Sequence, residues 1–408
     1  MRVTVVGAGL AGLAAAHRLE TLGCQVTVRE AREAPGGKHR LVSVAGGEHA
    51  PWPALAPRVA PALAELLAEL GLAAAVRLAP LERAFVLRGG VLAPLALELR
   101  AALGASPLAP FRLRRTAVLA TWLGGALDPD AAWRDTRLDD RSAADFARTY
   151  LGARALERLV APLHARAFGL DAAQASRRLL FSLLEPAGRI GLARVAGAGA
   201  LAPALAAKLA DLRLGAPVRR AEELDADAVV LATSSAEARR LAGALGPRES
   251  EAFARLAETP ALVLALSTPN GVELPGDELW LPAREGGELA AIASAGGGLL
   301  QLVARPDLGR RHGHRPDAEL AHFLLESAQR VVHPLASRHA LGGRLHRVAA
   351  PAFAVGHYRA LASLESALAA RPDRRIFFAG DWCAGPHLEG ELASGLAAAS
   401  AVAARFAR

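Results

Sequence analysis

Lysine, cysteine and tyrosine are nearly missing from this 408-residue chain. Lys38 and Lys208, Cys24 and Cys383, and Tyr150 and Tyr358 are the whole supply. The two cysteines stand far apart and form neither a disulfide framework nor a C-x-x-C knuckle, so a reducing, cytoplasmic setting is expected. Aromatic residues make up 4% of the chain. They are not interleaved with the basic residues, which argues against a base-stacking groove and a nucleic-acid partner. No run of about 18 uncharged apolar residues occurs, so no transmembrane span is expected. A metal centre is not expected either: His312 and His314 in RRHGHRP have no carboxylate or cysteine framework beside them and read as a polar loop.

The formal charge of +8 rests almost wholly on arginine, in groups such as Arg112, Arg114 and Arg115 or Arg310 and Arg311. A solvated basic face accounts for these, with room for a peripheral membrane contact. The length suggests about two to three domains.

What the chain does have begins at its first residues. RVTVV is β-branched and reads as a buried strand, LAGLAAAHRLETLG follows as a helix closing at Gly23, and QVTVRE reads as a second strand ending on Glu30. Between the first strand and the helix lies G-x-G-x-x-G, formed by Gly7, Gly9 and Gly12, with Leu10 and Ala11 inside it. In this context the first glycine permits a tight turn, the second lets backbone approach a pyrophosphate, and the third lets helix and strand pack closely. The helix N-terminus offers unpaired N–H groups to the phosphates. Glu30 stands 18 residues after Gly12, close to the spacing of an acid that binds ribose hydroxyls and repels a 2′-phosphate. The apolar, alanine-rich start could be taken for a secretory leader, but the ordered strand–turn–helix–strand succession favours a dinucleotide site.

Two further segments carry a resemblance. REAREAPGGK brings Ala31, Arg32, Gly36, Gly37 and Lys38 after Glu30, and RRIFFAGDWCAGPHLEGELASG near the C-terminus brings Gly380, Asp381, Trp382, Leu388 and Glu389. With GAGLAGLAAA, these resemble the flavoprotein family of monoamine oxidase, protoporphyrinogen oxidase and the phytoene-desaturase-like enzymes. The resemblance implies FAD as cofactor. It places Asp381 near the ribityl and phosphates, and has Glu389 begin a helix directed at the flavin. It also sets the Val218 backbone against adenine. The chain departs from the family at three points. Lys38 stands where relatives usually carry arginine, the spacer from Val218 to Asp227 is short, and VAGGEHAPWPALAPRV replaces a Gly…Asp-x-Gly segment, with His49, Pro51, Trp52 and Pro53 following Glu48.

The fold expected is α/β: a discontinuous Rossmann-type FAD-binding domain (1–75, 191–245 and 345–408) with a substrate domain made of a helical lobe (76–190) and an antiparallel sheet with a helix (246–344). Within the lobe, Ser142 is a candidate N-cap with Asp145 three residues on. VVLAT is expected to close the Rossmann sheet. The strands ALVLALSTPNG, ELWLPA, LAAIASAGG and GLLQLVARP are expected to form one wall of a substrate pocket.

A flavin accepts the electrons itself, so the protein's part is binding, orientation and electrostatics. APAFAVGHYRAL resembles a Pro-x-x-x-x-Gly-His stretch of protoporphyrinogen-oxidase-like proteins, which would bring Gly356, His357 and Tyr358 close to the ring. His357 is the candidate acid–base group, Tyr358 a companion, and the alternative is a turn that supports the ring. Lys38 is accounted for by the phosphate segment and Lys208 by a surface helix, so neither suits an amine oxidase. The reading is an FAD-dependent oxidoreductase that takes two electrons from a small apolar or cyclic substrate, desaturase-like or protoporphyrinogen-oxidase-like, with oxygen or a quinone as the open choice of acceptor. Amine oxidation is one alternative. A flavin-binding partner subunit without turnover is another, motivated by the altered 46–55 loop, and an NAD-dependent dehydrogenase is a third.

Overall fold

The computed structural model describes all residues except 82, 105, 125–135, 186–187, 269–271, 273, 297, 333–341, 372 and 407–408. Valines at 3, 5, 6, 26 and 28 are buried, as in a sheet covered on both faces. Arg2–Val6 accordingly lies at the centre of a five-stranded parallel sheet, flanked by Gln25–Arg29 and Leu212–Arg213 on one side and by Ala228–Leu231 and Ile376–Phe378 on the other. The strand VVL is therefore internal, and Ile376–Phe378 closes that edge instead.

Helix Leu10–Thr21 and helix Leu388–Phe406 cross over this sheet with alanines on both facing sides, among them Ala11, Ala14, Ala15, Ala398 and Ala399. A Cβ at Gly395 would overlap the Ala11 carbonyl oxygen, so glycine there lets the two backbones touch.

The second body is a seven-stranded sheet in the order 342–351, 258–267, 299–304, 289–296, 278–280, 84–88, 91–94. All its pairs are antiparallel except Glu278–Trp280 with Ala84–Arg88. The stretch 76–190 is thus not helical throughout. Arg77–Pro80 joins a three-stranded sheet with Leu55–Pro57 and Leu192–Ala196, and 84–94 extends the large sheet by a hairpin. Strand Gly342–Pro351 spans the expected boundary at 344–345 and pairs along its length with Glu258–Ser267.

The helical lobe follows. Ser142 Oγ accepts from the Asp145 N–H at 3.1 Å, capping Ala143–Phe146. Two π-helical stretches, Ala147–Leu151 and Leu156–Val160, lead into helix Ala161–Phe168, which ends at Gly169. Among the described residues, no helix is long and apolar enough to cross a membrane.

Candidate functional site

A cleft of about 490 Å³ opens at the C-terminal ends of the parallel strands. Its floor is the glycine turn after Val6. Gly7 has φ +104°, and a Cβ there would lie 2.5 Å from the Ala232 carbonyl oxygen, so the turn needs glycine. Gly9 is the N-cap of helix Leu10–Thr21 and supplies no capping side chain, which leaves the first-turn N–H groups facing the cleft. Gly9, Leu10 and Ala11 line the cleft, while Gly12 sits in the first turn of the helix.

At one end, Glu30 closes the second strand. Its carboxylate accepts from the Ala8 N–H at 2.8 Å and from the Arg32 N–H at 3.0 Å, drawing the end of that strand onto the glycine turn. Ala31, Arg32 and Val218 line the same end, with Glu237 and Arg240 beside them. Gly36 is held by its N–H to the Ala8 carbonyl at 2.7 Å, which brings Gly37 and Lys38 to the wall.

The other end is a buried charge cluster. Lys38 Nζ lies 2.6 Å from Asp381 Oδ2 and 3.0 Å from Glu391 Oε1, and His39 Nε2 donates to that same Glu391 oxygen at 3.0 Å. Burial works against the ammonium, but the two carboxylates outweigh it and hold Lys38 above the ordinary lysine range. Glu391 is also penalised by burial, yet Lys38 and His39 bring its carboxyl down to about 2. Asp381 is raised, by burial first and then by the Glu391 charge, despite its contact with Lys38. One cation between two carboxylates leaves the second carboxylate with the harder ionisation. Gly380 donates its N–H to Ser394 Oγ at 3.0 Å, fixing the turn that presents Asp381.

His346 is a residue that sequence reasoning missed. It projects from strand Gly342–Pro351 into the cleft wall, with Nε2 buried and unpartnered. Burial first, then Arg40, lower its pKa to about 4, so the imidazole is neutral. Glu391 and His39 were missed as well, although Glu391 lies inside the quoted LEGELASG.

A second cavity, of about 450 Å³, adjoins the cleft. Arg40 lines one and Leu41 the other. Lys38 Nζ in the cleft is 5.8 Å from the centroid of the Trp52 ring in the cavity wall. The departing 46–55 segment builds much of that wall. Val42–Val44 and Gly47–His49 form a hairpin, and Gln301 Nε2 donates to the Ala50 carbonyl at 2.8 Å, pinning the loop to the large sheet. Arg166 and Glu278, a buried ion pair, line the same cavity.

The sequence pattern of the flavin-containing amine oxidoreductases matches residues 10–403, and Glu30 and the Asp381 turn, both within that span, converge on one cleft with the glycine turn just ahead of it. The chain belongs to this family. It is an FAD-dependent oxidoreductase. Over the whole chain the fold is similar to that of a protein assigned as a protoporphyrinogen oxidase from Exiguobacterium sp. 255-15, with a TM-score of 0.73, 18% identity, and 100% of this chain and 99% of that one covered. It is also similar to cyclohexylamine oxidase from Brevibacterium oxydans IH-35A, with a TM-score of 0.72, 20% identity, and coverage of 100% and 99%. A short segment of 46 residues is 65% identical to the hydroxyneurosporene desaturase of Cereibacter sphaeroides, spanning 11% of this chain and 9% of that protein.

The residues present fit FAD. The uncapped helix start suits a pyrophosphate, and the unpartnered His346 Nε2 gives the cleft a neutral acceptor for a hydroxyl or N–H of the cofactor. Five residues singled out in the sequence of this flavoprotein lie elsewhere. Glu389 turns away from the cleft and accepts from the N–H groups of Ala62 at 2.8 Å and Leu63 at 2.9 Å, at the start of helix Pro61–Leu70. Leu388 is buried in the core beneath it. Trp382 is buried, donates Nε1–H to the Thr233 carbonyl at 3.0 Å, and packs on Phe253 and Phe378. His357, 1% exposed, donates Nε2–H to the Trp382 carbonyl at 2.8 Å. Burial lowers its pKa to about 4, and its ring lies 4.2 Å from that of Phe353.

Tyr358 is buried behind His357, its ring 5.3 Å from the Arg178 guanidinium, and burial raises its pKa. Neither His357 nor Tyr358 lines the cleft or the cavity. Their turn is held by Asp139, whose carboxylate accepts from the N–H groups of Gly356 and Arg359, each at 3.0 Å. Cys383 is a free thiol whose pKa burial raises well above its ordinary value, so it is not a poised nucleophile.

Proposed function

We propose that the cavity behind Trp52 receives the substrate at the ring end of the cofactor, and that the reaction removes two electrons from a small apolar or cyclic compound, desaturase-like or protoporphyrinogen-oxidase-like. The observation that carries this reading is the state of Lys38. It is the one lysine near the cavity, and two carboxylates hold it protonated at the end of the cleft, so it is unavailable as a base toward an amine. Among the described lining residues, Trp52 is the one six-membered aromatic ring, and no aromatic pair stands ready to sandwich an ammonium group. Glu278, one of the two carboxylates among the described residues of the cavity wall, is already paired with Arg166.

FAD, when bound, supplies the two-electron acceptor. The chain's own contribution under this reading is placement. Glu30 holds the ribose end, the start of helix Leu10–Thr21 takes the pyrophosphate, and the Lys38–Asp381–Glu391 cluster fixes the far end. Val218 backs the base. Oxygen or a quinone serves as the final acceptor. Amine oxidation is the competing reading, favoured by relatives such as the cyclohexylamine oxidase.

Anaerobic mixing with a substrate panel separates the two. Bleaching of the flavin band by a dihydro-polyene or a reduced tetrapyrrole, with primary amines inert, supports the proposal. Bleaching by cyclohexylamine or putrescine overturns it.

A further inference from the structure

Arg166, on helix Ala161–Phe168, and Glu278, on strand Glu278–Trp280, come together across 112 residues of sequence. Their side chains are 2% and 0% exposed, yet both residues form part of the cavity wall. Every acceptor position on Glu278 that the pair needs is filled. Arg166 Nε donates to Oε2 at 3.0 Å, Trp280 Nε1 donates to the same oxygen at 2.9 Å, and Arg166 Nη2 donates to Oε1. The other arm of the guanidinium, Nη1, is buried and has no hydrogen-bond partner. A buried charged donor without an acceptor is costly, and the residue that carries it lines a chamber with room for a ligand.

We propose that Arg166 Nη1 is the polar anchor of the substrate cavity, donating to a neutral oxygen (a carbonyl or hydroxyl) on an otherwise apolar substrate. This rests on the reading of that cavity as the substrate chamber. The choice of a neutral oxygen follows from the charge already present. Arg166 is matched by Glu278, so a carboxylate brought against Nη1 would leave a buried cluster with net negative charge, whereas a neutral oxygen satisfies the donor and adds none. Arg194, the other arginine of the wall, is directed to Asp277 at 3.7 Å. The anchor selects among apolar substrates by one oxygen, since an analogue without it leaves Nη1 unpaired.

The test uses the FAD-loaded protein and three bicyclic probes of one skeleton: 2-tetralone, the hydrocarbon tetralin, and 1,2,3,4-tetrahydro-2-naphthoate. Binding is read from perturbation of the flavin absorbance. The ketone is expected to bind about tenfold or more tighter than the hydrocarbon, and no more weakly than the acid. In Arg166→Lys the preference falls to within about threefold. The charge-free pair Arg166→Met with Glu278→Gln, which keeps an oxygen for Trp280 Nε1, should lose it as well, so a folding defect in either variant does not decide the matter.

Equal binding of ketone and hydrocarbon to the wild type, or a ketone preference that survives both changes, overturns the anchor while leaving the chamber in place. Tightest binding by the acid overturns the neutral-oxygen assignment. If none of the three probes moves the flavin spectrum, the chamber itself is misplaced and the anchor falls with it.

Discussion

Lys38 and Asp381 stand 343 residues apart in sequence and meet at 2.6 Å at one end of the cleft, with Glu391 closing the other side of the ammonium at 3.0 Å. The contact ties the first glycine-rich segment to the last, so the cofactor site and the closure of the domain depend on the same ion cluster. Removing the cation strands two buried carboxylates. Lys38→Met should cost about 3–5 kcal/mol and release FAD, whereas Lys38→Arg should keep most of both. Thermal midpoint and FAD per polypeptide check this, and a Met variant as stable and as yellow as the parent would contradict it.

Glu30 accepts two backbone N–H groups at the mouth of the glycine turn. Replacement by alanine should weaken FAD binding by on the order of 1.5–3 kcal/mol, the worth of a charge-assisted hydrogen bond. Cofactor content after gel filtration reads this out. Stoichiometric FAD in Glu30→Ala would place the ribose elsewhere.

Glu389→Ala should act on stability rather than on the cofactor. Its carboxylate serves the N–H groups of Ala62 and Leu63, so its loss resembles the loss of a helix cap, about 0.5–2 kcal/mol. The melting temperature should drop with FAD content unchanged. Loss of FAD from a fully folded variant would return Glu389 to the cofactor.

The contrast between Glu30 and Glu389 shows what the sequence could and could not reveal. Glu30 was legible because strand, turn and helix are local, and glycine spacing prescribes where the strand end must fall. The same holds for the alternating strands from 258 to 304. Glu389, Trp382 and His357 are assigned by tertiary packing: which way each side chain turns depends on a partner 327, 149 and 25 residues away, respectively. His346 lies in an alternating strand where a lone histidine gives no signal. The Arg166–Glu278 pair has no shared spacing at all, and the hairpin at 84–94 hid ahead of a stretch that is helical from Leu99 on.

His164, His346 and His357 are each brought to about 4 by burial, which leaves them neutral in the folded state. The unfolded chain takes up protons on them below about pH 6.5. The folded chain does so only near pH 4, so stability is complete above 6.5 and falls as the pH drops between these values. His357→Gln should make that acid decline shallower by about one proton, roughly 1.4 kcal/mol per pH unit at its steepest. It should leave the rate of flavin reduction unchanged. Melting curves from pH 7 to 4.5 and stopped-flow reduction check the two halves, and a slowed reduction would restore His357 to the chemistry.

Gly395→Ala drives a methyl group into the Ala11 carbonyl at the crossing of the first and last helices. Overpacking of this kind costs about 1–3 kcal/mol, and because Ala11 lines the cleft, FAD retention should fall with stability. Denaturant unfolding of the holoprotein measures the first, and its supernatant flavin the second. An unaffected variant would mean the helices can part without consequence.

Under the proposed function, the ring end of FAD would lie at the Lys38–Trp52 junction, facing the second cavity. The lifetime of the bound flavin's fluorescence tests it most directly, because an indole close to the ring quenches by short-range electron transfer. Trp52→Phe is expected to lengthen that lifetime, and Trp382→Phe to leave it unchanged. A lifetime indifferent to Trp52 and lengthened by loss of Trp382 would put the ring on the far side of the Asp381 turn and contradict the account.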